Sequence, residues 1–155
     1  MANKNRVRWG EQGVIPLPVE SATVIEIGDF VIIQSNWLIS VIGLSDAGDA
    51  AANEAAGQAA LVGLALSATK DGETEDVLVQ TEGVVMLNQY TAAEIHAGDP
   101  VTLYAVDTNT APSAQLMQEG TGDTIAVCVK THGSSTTETL CKLFPTVIMH
   151  DLAHS

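Results

Sequence analysis

Aromatic side chains are scarce in this sequence, at 4% of 155 residues, although hydrophobic residues as a whole make up 46%. A core without rings must be filled by Val, Ile, Leu and Ala, and branched aliphatics of that kind suit sheets. A chain of this length fits one domain and can bury most of its apolar surface. Basic residues are also few. Six Lys and Arg stand against 19 Asp and Glu, for a formal net charge of −13. That balance excludes a nucleic-acid partner, because phosphate binding depends on cations that displace counterions.

Long apolar runs are missing. Phe30–Ile33 and Trp37–Leu44 are separated by Gln34, Ser35 and Asn36 and broken at Ser40, far short of the roughly 20 residues that cross a bilayer. No membrane partner is expected. The N-terminus has Lys4, Arg6 and Arg8 but no apolar block or small-residue cleavage site behind them, so no export leader is read there and the chain is expected to stay in the cytoplasm where it is made. Two cysteines, Cys128 and Cys141, make neither a disulfide framework nor a Cys-x-x-Cys pair. A hairpin centred on Ser134 and Ser135 would place them opposite one another, and in a reducing cytoplasm they are expected to remain thiols packed as small hydrophobes.

Reactive motifs are absent as well. There is no Gly-x-Ser-x-Gly elbow, no Gly-x-Gly-x-x-Gly, no phosphate loop and no calcium loop around the acidic cluster Asp71, Glu73, Glu75 and Asp76. His150, Asp151 and His154 have the types and spacing of zinc ligands, but they occupy the last six residues, where second-shell support is scarce. His96 and His132 fall in turns, far from any nucleophile motif. No catalytic residue, cofactor or metal is assigned, and the protein is read as one that works through surfaces and is not an enzyme.

What is present is an asymmetric charge pattern and a repeat. Residues 1–8 hold Lys4, Arg6 and Arg8 and no acid, while the other three basic residues are scattered among all 19 acids. Residues 1–22 read as an extended arm, because Pro16 and Pro18 forbid a helix. The arm carries Trp9, Val14, Ile15, Leu17 and Val19, which lie along the chain's own body or reach another molecule. Residues 23–149 read as a single β domain and 150–155 as a tail.

Within the domain, Ile25, Gly28, Asp29 and Val31 recur as Ile95, Gly98, Asp99 and Val101 at an offset of 70. Val62–Leu66 recurs as Ile125–Val129 at an offset of 63, which predicts two related halves, the second with a middle connection about seven residues shorter. Gly28–Asp29 and Gly98–Asp99 are read as turns, with Gly taking positive φ and the Asp carboxylate accepting from amides just beyond it. Asp71–Gly72 is read as a hairpin turn. Eight to ten short strands follow, with a helix over Ala47–Ala60 crossing one end of the sheet. The predicted fold is therefore all-β, a small antiparallel barrel or sandwich of two related halves.

The succession of Ile25-x-x-Gly28-Asp29-x-Val31, an apolar strand, Glu82–Val85, and Ile95-x-x-Gly98-Asp99-Pro100-Val101-Thr102-Leu103 resembles the capsid cement or decoration proteins of tailed bacteriophages. The likeness covers roughly residues 22–145, with the alanine-rich stretch and the tail after Pro145 as departures. It implies a structural protein of the virion, bound to the outer face of an icosahedral shell, clamping neighbouring capsomers. The major capsid protein would be its partner and a dimer or trimer its assembled state. Three rival readings are a glycan-binding module using Trp9, Trp37, Tyr90 and Tyr104, a tail or baseplate component, and a small β-barrel enzyme.

Overall fold

The computed structural model describes residues 13–106, 116–120 and 122–144. Five strands, β1 (Val14–Leu17), β2 (Phe30–Gln34), β3 (Trp37–Ser40), β4 (Leu61–Ala65) and β5 (Val77–Gln80), form a sheet in the order β1-β5-β4-β2-β3. Five more, β6 (Val84–Gln89), β7 (Pro100–Leu103), β8 (Leu116–Glu119), β9 (Ala126–Cys128) and β10 (Glu138–Leu143), close into a barrel in the order β10-β6-β8-β7-β9. A 3₁₀ turn, Val41–Gly43, and a helix α1, Ala50–Ala60, lie between β3 and β4. The fold is all-β with one short helix, as the composition predicts.

The two sheets share one topology. Val14↔Gln80 and Pro16↔Leu78 on β1 and β5 recur as Val84↔Lys142 and Met86↔Leu140 on β6 and β10. Val31↔Ser40 and Ile33↔Leu38 recur as Val101↔Glu119 and Leu103↔Met117. Even the seam corresponds. The parallel pairing of Gln89 with Met117 that closes the second barrel has its counterpart in a single parallel bridge from Val19 to Leu38. The first sheet is thus the same barrel, drawn together by a shorter seam.

Two boundaries move. The repeat begins at Gly13, not at residue 23: the Thr81 N–H donates to Gly13 O at 2.6 Å, and the Leu143 N–H donates to Gly83 O at 3.0 Å. Residues 14–17 are consequently a strand of the first barrel, and Val19 is fully buried. The shift from 70 to 63 is also not one shortened connection. Residues 104–115 join β7 to β8 where Ser35 and Asn36 alone join β2 to β3, and residues 120–125 replace the stretch 41–60 that contains α1. An insertion and a larger deletion leave the net difference that the repeat displays. The tight β2–β3 turn has no glycine; Ser35 and Asn36 take φ of 51° and 72°, the left-handed pair of a type I′ hairpin.

Burial explains the apolar runs. Val19, Ile25, Val31, Leu38, Val62, Ala65, Val77 and Val79 fill the first barrel. Phe30, Ile32, Ile39, Val41, Leu61 and Leu64 point the other way and join Leu87, Ile95, Val101, Leu103, Met117 and Ile125 in one continuous cluster that spans both halves. β2 and β4 are covered on both faces, so they read as near-unbroken hydrophobic segments with no polar alternation.

The helix starts where Asp49 caps it, its carboxylate accepting the Ala52 N–H at 2.8 Å. It lies against β2 and β7, and its buried positions are Asn53 and Gly57. A Cβ on Gly57 would stand 2.7 Å from Leu103 Cδ1 and 3.8 Å from Val41 Cγ2, so the helix is wedged between the halves at a distance that small residues permit. Asn53 fastens it: the amide donates to Val106 O at 2.9 Å and to Asp46 Oδ1 at 3.0 Å, and its oxygen accepts the Ala47 N–H at 2.6 Å.

Glu54 accepts a hydrogen bond from Gln118 Nε2 across the same joint. Partial burial, with Asp123 nearby, raises its pKa above the ordinary carboxylate value. A raised carboxyl favours folding only while protonated, so its ionised form costs stability at neutral pH. Glu54→Gln should therefore stabilise at pH 7 by no more than about 0.5 kcal/mol, given its solvent screening. The gain should vanish as pH falls below ~4; denaturant melts at the two pH values measure both.

Glycines separate two kinds of constraint. Gly28 and Gly98 have φ of 91° and 97°, and a Cβ on either meets nothing within 4 Å. Gly28→Val and Gly98→Val should each cost roughly 1–3 kcal/mol from backbone strain alone. Gly63→Ala should cost more than either, because its Cβ would sit 2.0 Å from the Gln80 carbonyl oxygen; thermal melts of the three variants give the order.

Candidate interaction surface

The turn residues singled out in the sequence occupy equivalent places. Glu26–Asp29 and His96–Asp99 are closed by Asp29 N–H donating to Glu26 O at 3.2 Å and Asp99 N–H to His96 O at 3.0 Å. The carboxylates reach backwards, not forwards. Asp29 Oδ2 accepts the Glu26 N–H at 3.0 Å and Asp99 Oδ2 accepts the His96 N–H at 2.8 Å, so each acid locks the start of its own turn. The glycine N–H groups then donate to Ala65 O and Cys128 O, at 2.8 and 2.7 Å.

Asp71–Gly72 forms a third turn of this kind, with Glu73 in the role of the acid: its N–H donates to Lys70 O at 3.0 Å and its carboxylate accepts the Lys70 N–H at 2.9 Å. It is not a two-residue hairpin. After β4 the chain first runs out to a bridge between Ile25 and Thr69, then returns to β5. These turns are closed by their own backbone and carboxylate hydrogen bonds.

Titratable groups are dispersed. His96 lies 3.3 Å from Glu94 and 3.5 Å from Asp99 on the surface. His132 Nε2 accepts the Leu140 N–H at 3.1 Å, which occupies its lone pair in holding the second barrel. Among the described residues no three His, Cys, Asp or Glu side chains come together as a metal site. No helix among them is long and apolar enough to cross a membrane. His150, Asp151 and His154 lie outside the described residues, as do Lys4, Arg6, Arg8 and Trp9. Of the possible ring platforms, Tyr90 and Tyr104 stack on one another with centroids 3.5 Å apart, and a hydrogen bond with Tyr90 raises the Tyr104 pKa. Each ring thus covers one face of the other.

Val14, Ile15, Leu17 and Val19, read from sequence as lying along the chain's own body or reaching another molecule, belong to the first barrel. Ile15 and Leu17 pair with Val79 and Val77. The exposed apolar side chains lie elsewhere, in a pattern the sequence periodicity does not announce because it is set by cross-strand register. On the first barrel Leu78 stands opposite Pro16 on one side and, through the Leu66 N–H to Leu78 O bond of 2.8 Å, opposite Leu66 on the other. On the second, Leu140 stands opposite Met86 and, through the Val129 N–H to Leu140 O bond of 2.9 Å, opposite Val129. Leu66, Leu78, Met86 and Val129 are 41–54% exposed. Each barrel therefore carries an outward apolar stripe at the same place.

A second feature follows from the repeat. Gly13 pairs with Thr81, Gly83 pairs with Leu143, and residues 81–83 are consecutive. The chain enters the described structure and leaves it beside the link between the barrels. Val84 and Phe144 are half exposed there, Val84 stands opposite Lys142, and Lys142 Nζ lies 5.9 Å over the Phe144 ring. The acidic turn with Asp71, Glu73, Glu75 and Asp76 is at the other end of β1 and β5. Val84, Lys142 and Phe144 thus gather at the link, which also holds the exposed Glu82, while Asp71, Glu73, Glu75 and Asp76 lie beside Lys70 at the far end of the first barrel.

A scan against protein-family models and a search of curated proteins both return no match.

The stripes are surface and not core, which single substitutions can test. Leu78→Asp and Met86→Asp should change stability by less than about 0.5 kcal/mol. Val79→Asp, one residue away and fully buried, should prevent folding; circular dichroism melts decide between the two behaviours.

Proposed function

We propose that this chain is a structural virion protein that binds the outer surface of an icosahedral phage capsid and stabilises it by clamping neighbouring capsomers. The observation that supports this most is the convergence of the first and last described residues, Gly13 and Phe144, on the joint between two like barrels. The residues that precede Gly13 include Lys4, Arg6 and Arg8, half of the six Lys and Arg of the sequence, all ahead of its first acid, Glu11. They depart from a surface that already offers Val84, Lys142 and Phe144. A shell with an acidic, partly apolar outer face is the complementary partner.

Doubling suits the task. Two barrels with matching stripes give one chain two like faces, and weak contacts made together hold far more strongly than either alone. Binding that engages only the assembled shell stabilises it by mass action. The acidic turn at the far end of the first barrel keeps the particle soluble.

The experiment is co-sedimentation with undecorated shells. The truncation must spare residue 13, because Val14–Leu17 is a strand; removal of residues 2–12 should leave a folded protein whose shell occupancy falls at least tenfold at equal concentration. Neutralising Lys4, Arg6 and Arg8 alone should slow association and flatten its salt dependence. Full occupancy by the truncated form would move the docking face to the stripes, and failure of the intact protein to bind shells would remove the reading.

A further inference from the structure

We propose that Cys128 and Cys141 are the site of an intramolecular disulfide that staples β9 to β10 when the surroundings become oxidising. Cys141 is the direct cross-strand partner of Cys128. The adjacent pair, Val129 and Leu140, is hydrogen-bonded at 2.9 Å, and the Cys128 N–H turns away to Asp99 O on the β7 side at 2.9 Å. The cysteines therefore occupy a non-hydrogen-bonded position of the antiparallel ladder, where Cα atoms stand roughly 4.5 Å apart. That is within the ~4.4–6.8 Å span a disulfide takes. Both side chains point into the barrel and are buried.

The repeat supplies the control. The equivalent positions of the first barrel are Ala65 and Val79, which pair in the same register, so the packing of this spot does not require sulfur. The thiols are free, and the Cys128 Sγ donates to Lys130 O at 2.9 Å. Burial and the neighbouring Cys128 push the Cys141 thiol up to about 12. Cys141 therefore stays protonated in the closed barrel.

With oxidised glutathione as the oxidant, the thiolate of one cysteine of the pair attacks one sulfur of the tripeptide disulfide. That S–S bond breaks, one glutathione thiolate leaves, and a mixed disulfide forms. The other cysteine then displaces the second glutathione and closes the protein bond. The two cysteines lose two electrons and two protons, and both glutathiones end as thiols. Access requires β9, a strand of three residues, to lift away, so the native protein reacts more slowly than the unfolded chain. The inference does not depend on the capsid reading, since it concerns only the barrel's own register.

The test refolds the full-length reduced protein in glutathione buffers, mostly reduced or mostly oxidised, and counts free thiols by alkylation and mass spectrometry. Refolding removes burial as an obstacle. Two thiols are expected in the reducing buffer and none in the oxidising one, with the segments on either side of the tryptic cut after Lys130 joined by the new bond. The oxidised form should melt higher by about 5 °C, and Cys128→Ala/Cys141→Val, which copies the first barrel, should melt alike in both buffers. Two alkylatable thiols after oxidative refolding, a bond formed only between chains, or a lower melting temperature on oxidation would each overturn the proposal.

Discussion

A wall between two barrels has to be apolar on both of its faces, and most of this molecule follows from that requirement. β2 and β4 supply it. Val31, Val62 and Ala65 look into the first barrel, while Phe30, Ile32, Leu61 and Leu64 look toward the second. The shared cluster turns two small barrels, each with little interior of its own, into one body with enough buried surface to be stable. The helix closes the joint, and Gly57 fits where Val41 and Leu103 leave no room for a Cβ.

The repeat was legible because turn geometry constrains residue type more tightly than strand pairing does. Gly28 and Gly98 need positive φ, and Asp29 and Asp99 need a short carboxylate that can reach three residues back. Those four residues survive where the strands between them have drifted. The opposition of Cys128 and Cys141 was legible for a related reason, since a hairpin's centre determines every pairing beyond it.

Other features left little trace. β1 contains Pro16, which reads as a breaker, but the strand has a sheet partner on one side only, where a missing N–H costs nothing. β8 is Leu-Met-Gln-Glu, a segment without β-branched residues that is held in place by β7 and the parallel seam. The two exposed stripes are invisible along the chain, because Pro16, Leu78 and Leu66 become neighbours only through register. In each case tertiary pairing, not local preference, decides the outcome.

The position of Gly13 and Phe144, the first and last described residues, has a consequence for how such a molecule can grow. Each repeat finishes one residue away from where the next begins, and Gly13 sits beside Thr81 as Gly83 sits beside Leu143. A unit built this way is nearly a closed loop, so a copy can be inserted into a gene in tandem without rerouting any strand. The geometry permits addition or removal of a whole barrel with the register within each barrel undisturbed. Changes of single residues inside one copy, such as Ala65 against Cys128, are then free to give the copies different chemistry on a common frame.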